Sequence, residues 1–145
     1  MYSRDHALLS ALLGAGLVLE APPAVSPVRL WLFVVALGVG IDLDHVLLAR
    51  LNTGSWESAR RCLRDPRRVL LDQEEIFGDG DVWRDQRLFS HVLLGGVLVA
   101  GAWWIRPYWA VATALTLYVH VLADLYSDVR SRESYFDEVV RHRSD

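Results

Sequence analysis

The chain has a single cysteine, Cys62, and no lysine at all. One cysteine excludes an internal disulfide and a thiolate cluster for structural zinc, so any metal must rely on imidazole and carboxylate. The missing lysine leaves all 15 basic residues as arginine, a bias that points to a GC-rich genome and says nothing about chemistry. No serine stands in a nucleophile-elbow setting, Cys62 lies on a basic stretch, and no phosphate-binding glycine loop is present, which argues against serine or cysteine triads and nucleotide loops. Neither sign of charge dominates. The net charge is −3, so a general nucleic-acid surface is not expected. There is no internal repeat and no low-complexity tract, and 145 residues make one domain.

Apolar residues are abundant, at 52%, alongside 23% charged residues, and the mean hydropathy is +0.21. Segregation reconciles these values. Four apolar segments, at about 6–20, 28–51, 88–105 and 108–126, alternate with a polar connection at 52–87 and a charged tail at 127–145. The pattern predicts an all-α integral membrane bundle of about four antiparallel helices with a partly helical loop between the second and third. Segment one has only 13 near-continuous apolar residues, Ala7 to Leu19, against the ~20 that cross a bilayer core. A signal peptide with Arg4 as its basic start and a cleavage point near Ala21 or Ala24 is the alternative. Asp5 and three further apolar segments argue against it. In the connection, Arg60, Arg61, Arg64, Arg67 and Arg68 precede an acidic stretch from Asp72 to Asp85, with breaks expected at Pro66 and Gly78-Asp79-Gly80. The arginine group can meet anionic headgroups or simply be a solvated loop. Gly14, Gly16, Gly38, Gly40, Gly95, Gly96 and Gly101 inside the segments permit close helix approach. Trp103, Trp104, Tyr108 and Trp109 fall where a lipid–water interface is expected.

The ionisable residues obey a parity. His6 opens segment one, and Asp42, Asp44 and His45 lie near the close of segment two. His91 opens segment three, and His120 with Asp124 lies near the close of segment four. In an up-down-up-down bundle all of these fall on one side. Of the 15 arginines, 13 lie on that same side, so the positive-inside rule places it, with both termini, in the cytoplasm of a cell (inner) membrane.

His120 and Asp124 are four apart and share a helix face. Asp42 and His45, three apart, share another. Asp44 is either brought round by a loosened helix at Gly40 or orients a neighbouring histidine. Ionisable groups inside apolar segments mark functional sites by default, the structural alternative being His–Asp bonds that tie helices together. A set of His6, Asp42, His45, His91, His120 and Asp124 suits zinc first, with manganese or ferrous iron as alternatives. Four histidines and three aspartates exceed the needs of one tetrahedral ion, so two ions, or one ion with Asp44 as orienter or general base, are both open. Arg87 can neutralise a substrate phosphate. His142, in the tail, receives no role.

These residues resemble the YdjM-like family of predicted membrane-bound metal-dependent hydrolases. The resemblance rests on Asp5-His6, Asp42-Leu43-Asp44-His45, Gln86-Arg87-Leu88-Phe89-Ser90-His91 and His120-Val121-Leu122-Ala123-Asp124, and so covers residues 5–124. Ile41 stands where the family has proline, and Gln86 where it has a histidine. The resemblance implies a metal site and a hydrolase. Hydrolysis of a phosphoester or lipid-like substrate at the membrane surface is therefore expected, with membrane lipids as partners. A non-catalytic metal-binding scaffold and an ion or proton transport component are the alternatives.

Overall fold

The computed structural model describes residues 3–65, 76–78, 80–133, 135, 136, 139 and 140. Pro66, Arg67, Arg68, Asp72, Asp79 and His142 lie outside the described residues, and with them the expected break at Pro66 and the middle of the 78–80 turn. Among the described residues there are helices and no strands: α1 (Ser3–Leu19), α2 (Pro27–Gly40), a 3₁₀ turn (Ile41–Leu43), α3 (Asp44–Thr53), α4 (Glu57–Arg64), α5 (Arg84–Ile105) and α6 (Pro107–Arg130). α4 is helix within the polar connection.

Local chemistry sets the boundaries. Pro27 and Pro107 open α2 and α6, where a missing N–H costs nothing and φ is already helical. Arg106, extended at φ −161° and ψ 131°, turns the chain between α5 and α6. Gly54, at φ 72°, closes α3 in the left-handed conformation that glycine adopts without strain. Helices α5 and α6 run past their apolar segments into polar sequence at the ends carrying Arg84 and Arg130.

Among the described residues, three helices are long and apolar enough to cross a membrane: Pro27–Thr53, which joins α2 and α3 through the 3₁₀ turn, Arg84–Ile105 and Pro107–Arg130. With 17 residues, α1 is roughly 25 Å long against a hydrocarbon core of ~30 Å.

Polarity is inverted relative to a water-soluble fold. The face that α1 buries is Ser3, His6, Ser10 and Gly14, whereas Leu8 and Leu12 are more than half exposed. The inside of the protein holds Asp42, His45, His91, Thr113, Thr116, His120 and Asp124, while Val92, Val97, Trp104 and Tyr118 face outward. A surface of this kind suits hydrocarbon rather than water. Both features describe a membrane protein.

α1 packs along α2, α5 along α6, and α1 and α2 both touch α6. Apolar burial gives little drive between helices in lipid, so close approach matters. At Gly38 a Cβ would overlap Ser10 of α1, and at Gly14 it would come 3.1 Å from Trp31 Cδ1. One end of the bundle is locked by Leu30, Val34 and Ala112, with Tyr108 and Trp109 packed onto them. Trp109 meets Phe33 edge to face at 4.9 Å, and Tyr108 Oη donates to Leu17 O at 3.2 Å. Of the four aromatics expected at an interface, Trp103 and Trp104 are exposed, and Tyr108 and Trp109 are half-buried with one side packed on this lock. The other end holds the histidines and aspartates.

Candidate metal centre

Each long helix and α1 send ionisable side chains to the same end. His6 comes from the start of α1, and Asp42, Asp44 and His45 from the 3₁₀ turn and the start of α3. Arg87 and His91 lie near the start of α5, and His120 and Asp124 in the second half of α6. The 3₁₀ winding at Ile41–Leu43 places residues three apart almost above one another, which puts Asp42 beside His45. Asp44 turns instead toward α5.

Hydrogen bonds fix the faces of two imidazoles. His120 Nδ1 lies 2.8 Å from the carbonyl oxygen of Gly38. A carbonyl only accepts, so Nδ1 carries the hydrogen and Nε2 is left facing inward. His91 Nδ1 lies 2.9 Å from Asp44 Oδ2, which also accepts from Ser90 Oγ, so the same logic turns His91 Nε2 inward. Both Nε2 atoms then stand 3.3 Å from one oxygen, Asp42 Oδ1. They are 3.7 Å and 3.6 Å from Asp124 Oδ2. His45 Nε2 is 3.7 Å from both Asp42 Oδ1 and Asp44 Oδ1. His6 Nε2 is 3.1 Å from Asp124 Oδ1, and its ring stacks on His120 at 3.8 Å.

These separations identify what the cluster fits. Most exceed the ~2.7–3.2 Å of an N–H···O bond. The two at 3.3 Å, from His91 Nε2 and His120 Nε2 to Asp42 Oδ1, match the ~3.3 Å edge of a tetrahedron whose corners lie about 2.0 Å from a central ion, although the His91 contact also has hydrogen-bond geometry; the others are longer or, for His6 and Asp124, shorter. Within the cluster, His6 Nδ1, Asp44 Oδ1, His45 Nε2 and His120 Nε2 are buried with no hydrogen-bond partner, an arrangement that is costly unless something else satisfies them. Two groups converge closely enough to share an ion: His6, Asp42, His120 and Asp124, and Asp42, His45 and His91. Asp42 belongs to both. The nitrogen and oxygen donors present therefore fit a divalent ion, and the buried His/Asp group can hold one.

Charge argues the same way. The side chains of Asp42, Asp44 and Asp124 are 4%, 5% and 7% exposed. The nearby cation, Arg87, donates from one nitrogen, Nη2, to both oxygens of Asp128 at 2.7 Å each. It reaches Asp124 Oδ2 only at 3.6 Å through Nε. Asp128 is itself shared with Arg84, 3.6 Å away, so Arg87 is divided between Asp124 and Asp128. One guanidinium does not balance three buried carboxylates, and the remainder must be met by protonated imidazole or by a bound cation.

Gln86 is not in the cluster. Its amide pairs with that of Asn52, accepting at 2.6 Å and donating at 3.1 Å, and Asn52 also donates to Asp81 O. The pair clips the start of α5 to the end of α3. Phe77, from the connection, lies edge-on over His45 at 5.9 Å and covers that imidazole. Cys62 sits half-buried on α4 and is in neither ligand group; burial pushes its thiol pKa up. Sequence reasoning missed Asp128, the Gly38 carbonyl, and Ser3, whose Oγ donates to Asp42 Oδ2 at 3.4 Å. The i,i+4 spacing of Asp124 and Asp128 was a usable signal for the first of these.

No family model, curated protein or solved structure matches the chain. The geometry of the cluster is thus the ground for a functional reading.

Proposed function

We propose that the protein is a membrane-bound, metal-dependent hydrolase acting on a phosphoester or lipid-like substrate, and that it belongs with the YdjM-like proteins its motifs resemble. The observation that carries this reading is the convergence of His91 Nε2 and His120 Nε2 on Asp42 Oδ1, each at 3.3 Å, with the far nitrogen of each ring already held by an acceptor. In metal sites such outer acceptors fix the tautomer and raise the basicity of the ligand nitrogen.

Asp42 and Asp124, with His6, His45, His91 and His120, would hold the ion or ions. Zinc suits this donor set best, with manganese or ferrous iron next, and the shared Asp42 suits two ions. A bound ion supplies water of lowered pKa and draws charge from phosphoryl oxygens. Asp44 holds the Nδ1 proton of His91, and its second oxygen, buried and without a partner, can take a proton from attacking water. Arg87 would pair with the substrate phosphate by exchanging one of its contacts to Asp128. The helices are read as four antiparallel crossings of the cytoplasmic membrane with the cluster on the cytoplasmic side, on the arginine distribution.

One observation favours a second reading. Gln86, which stands where the resembled family has a histidine, is spent on Asn52, so a metal-binding scaffold without turnover is the rival. Metal content by mass spectrometry, on detergent-purified wild type beside His120→Ala, tests the first step. About one or more equivalents, lost in the variant, supports the site. Turnover of p-nitrophenyl phosphate or phosphatidic acid by the loaded protein then separates hydrolase from scaffold. Protein that takes up no zinc, manganese or iron would sink both readings.

A further inference from the structure

A groove of about 650 Å³ runs along the seam between α5 and α6, with His91 at one end and Trp103 and Trp104 at the other. Its walls are otherwise small or apolar, including Gly96, Ala100 and Ala114. Gly95 and Gly96 differ in kind. A Cβ on Gly95 would touch Leu117 at 3.4 Å, whereas one on Gly96 would meet nothing within 4 Å. Gly95 is therefore a packing glycine, and Gly96 leaves open space. Only 11% of the most apolar stretch of α5 is buried, so the seam opens sideways to whatever surrounds the helices.

The groove ends at His91, beside the cluster. A separate small cavity of about 10 Å³ shares His91 and Val121 with it and is further lined by Arg87, Asp124 and Asp128, so these side chains must part for a headgroup to reach the cluster. A molecule lying in the seam would present its apolar part to Gly96 and Ala100 and its end to a guanidinium and the His/Asp group. From His91 to Trp104 the path is roughly 20 Å at the helical rise of about 1.5 Å per residue. One leaflet of the ~30 Å hydrocarbon core is about 15 Å deep, so the groove is as long as a lipid chain.

We infer that the α5–α6 seam holds the acyl chain of a phosphate-bearing membrane lipid whose headgroup reaches the cluster from the side. This rests on the hydrolase reading for its substrate class, and it adds the route and the chain-binding surface. A phosphate end matches Arg87 and, with two divalent ions set against three carboxylates, a centre of net positive charge. A zwitterionic headgroup adds a quaternary ammonium that such a centre repels.

The test reconstitutes the wild-type protein in phosphatidylcholine vesicles containing phosphatidic acid with a mid-chain diazirine, followed by illumination and mapping of adducts by mass spectrometry. Adducts should concentrate several-fold at residues 96–104 and 114–121 over the α1–α2 face at Leu8, Leu12 and Leu32, all of which are exposed. Gly96→Leu should lower seam adducts several-fold while bound metal per chain, read in the same sample, stays at the wild-type level. Ala100→Leu, at another exposed position, repeats the comparison should Gly96→Leu lose metal. Even labelling of all apolar faces, equal seam labelling by diazirine phosphatidylcholine, or chain-to-chain cross-links through the seam would each overturn the inference. Metal-free protein with intact seam labelling would remove the hydrolase reading and keep the groove. Metal-loaded, catalytically active protein with even labelling would do the reverse.

Discussion

The Nδ1–H of His120 and the carbonyl oxygen of Gly38, 2.8 Å apart, decide which edge of the imidazole meets the aspartates. One backbone group on α2 thus sets the chemistry of a side chain on α6, 82 positions away in sequence.

Gly38→Ala is the sharpest probe of that arrangement. The added Cβ would collide with Ser10, forcing α1 from α2 and shifting the carbonyl. Overpacking of this kind costs about 1–3 kcal/mol, so thermal unfolding in detergent should begin earlier and bound metal should fall. Ser10→Gly in the same chain removes the collision and should restore most of both, with a non-additive cycle. Two substitutions that simply add would show that the contact does not matter.

Asp44→Asn should weaken metal binding without emptying the site. It keeps an oxygen that can accept from His91 Nδ1 and Ser90 Oγ but gives up the negative charge that strengthens both bonds. Loss of such an outer partner typically costs ~10–100-fold in metal affinity. Competition with a chromogenic chelator measures it, and an unchanged dissociation constant would refute the role given to Asp44.

Gln86→Ala should leave metal stoichiometry at the wild-type value, because the amide bonds to Asn52 and not to the cluster. Its effect should be a loss of stability within the ~0.5–1.5 kcal/mol of an ordinary hydrogen bond, visible in a melting curve. Metal lost from this variant would mean that Gln86 supports the site directly.

Stripping metal with a chelator should destabilise the fold, since Arg87 and protons taken up by the imidazoles would then be the charges left to balance Asp42, Asp44 and Asp124. Binding to the folded state alone adds about 2.7 kcal/mol when free metal is 100 times its dissociation constant. The transition should move down on chelation and return on adding zinc. Equal melting of stripped and reloaded protein would leave the carboxylates without the proposed counter-ion.

The convergence of His6, Asp42, His91 and His120 was legible in the sequence because each sits at the alternate end of an apolar segment, and parity survives errors of several residues in helix boundaries. The partners were not. Asp128 reads as part of a solvated tail until Arg87, 41 positions earlier, is found beside it. The Gly38 carbonyl has no side-chain signature, and the 3₁₀ turn at Ile41–Leu43 depends on packing that periodicity does not encode. Asp44 was read as either ligand or orienter, and only the distance to His91 Nδ1 distinguishes the two geometries. Tyr108 and Trp109 read as interface aromatics from composition, which does not reveal that they also pack onto Leu30, Val34 and Ala112.

His6 and Asp124 are 118 positions apart and 3.1 Å from each other, which has a consequence for synthesis. At ribosomal rates of about 5–20 residues per second, roughly 6–24 s separate the making of the one from the making of the other. Throughout that interval the nascent chain carries an imidazole whose partner does not yet exist, on the face that α1 must bury. The group of His6, Asp42, His120 and Asp124 is therefore completed only when the last helix arrives, and chains halted before α6 hold the Asp42, His45 and His91 group alone.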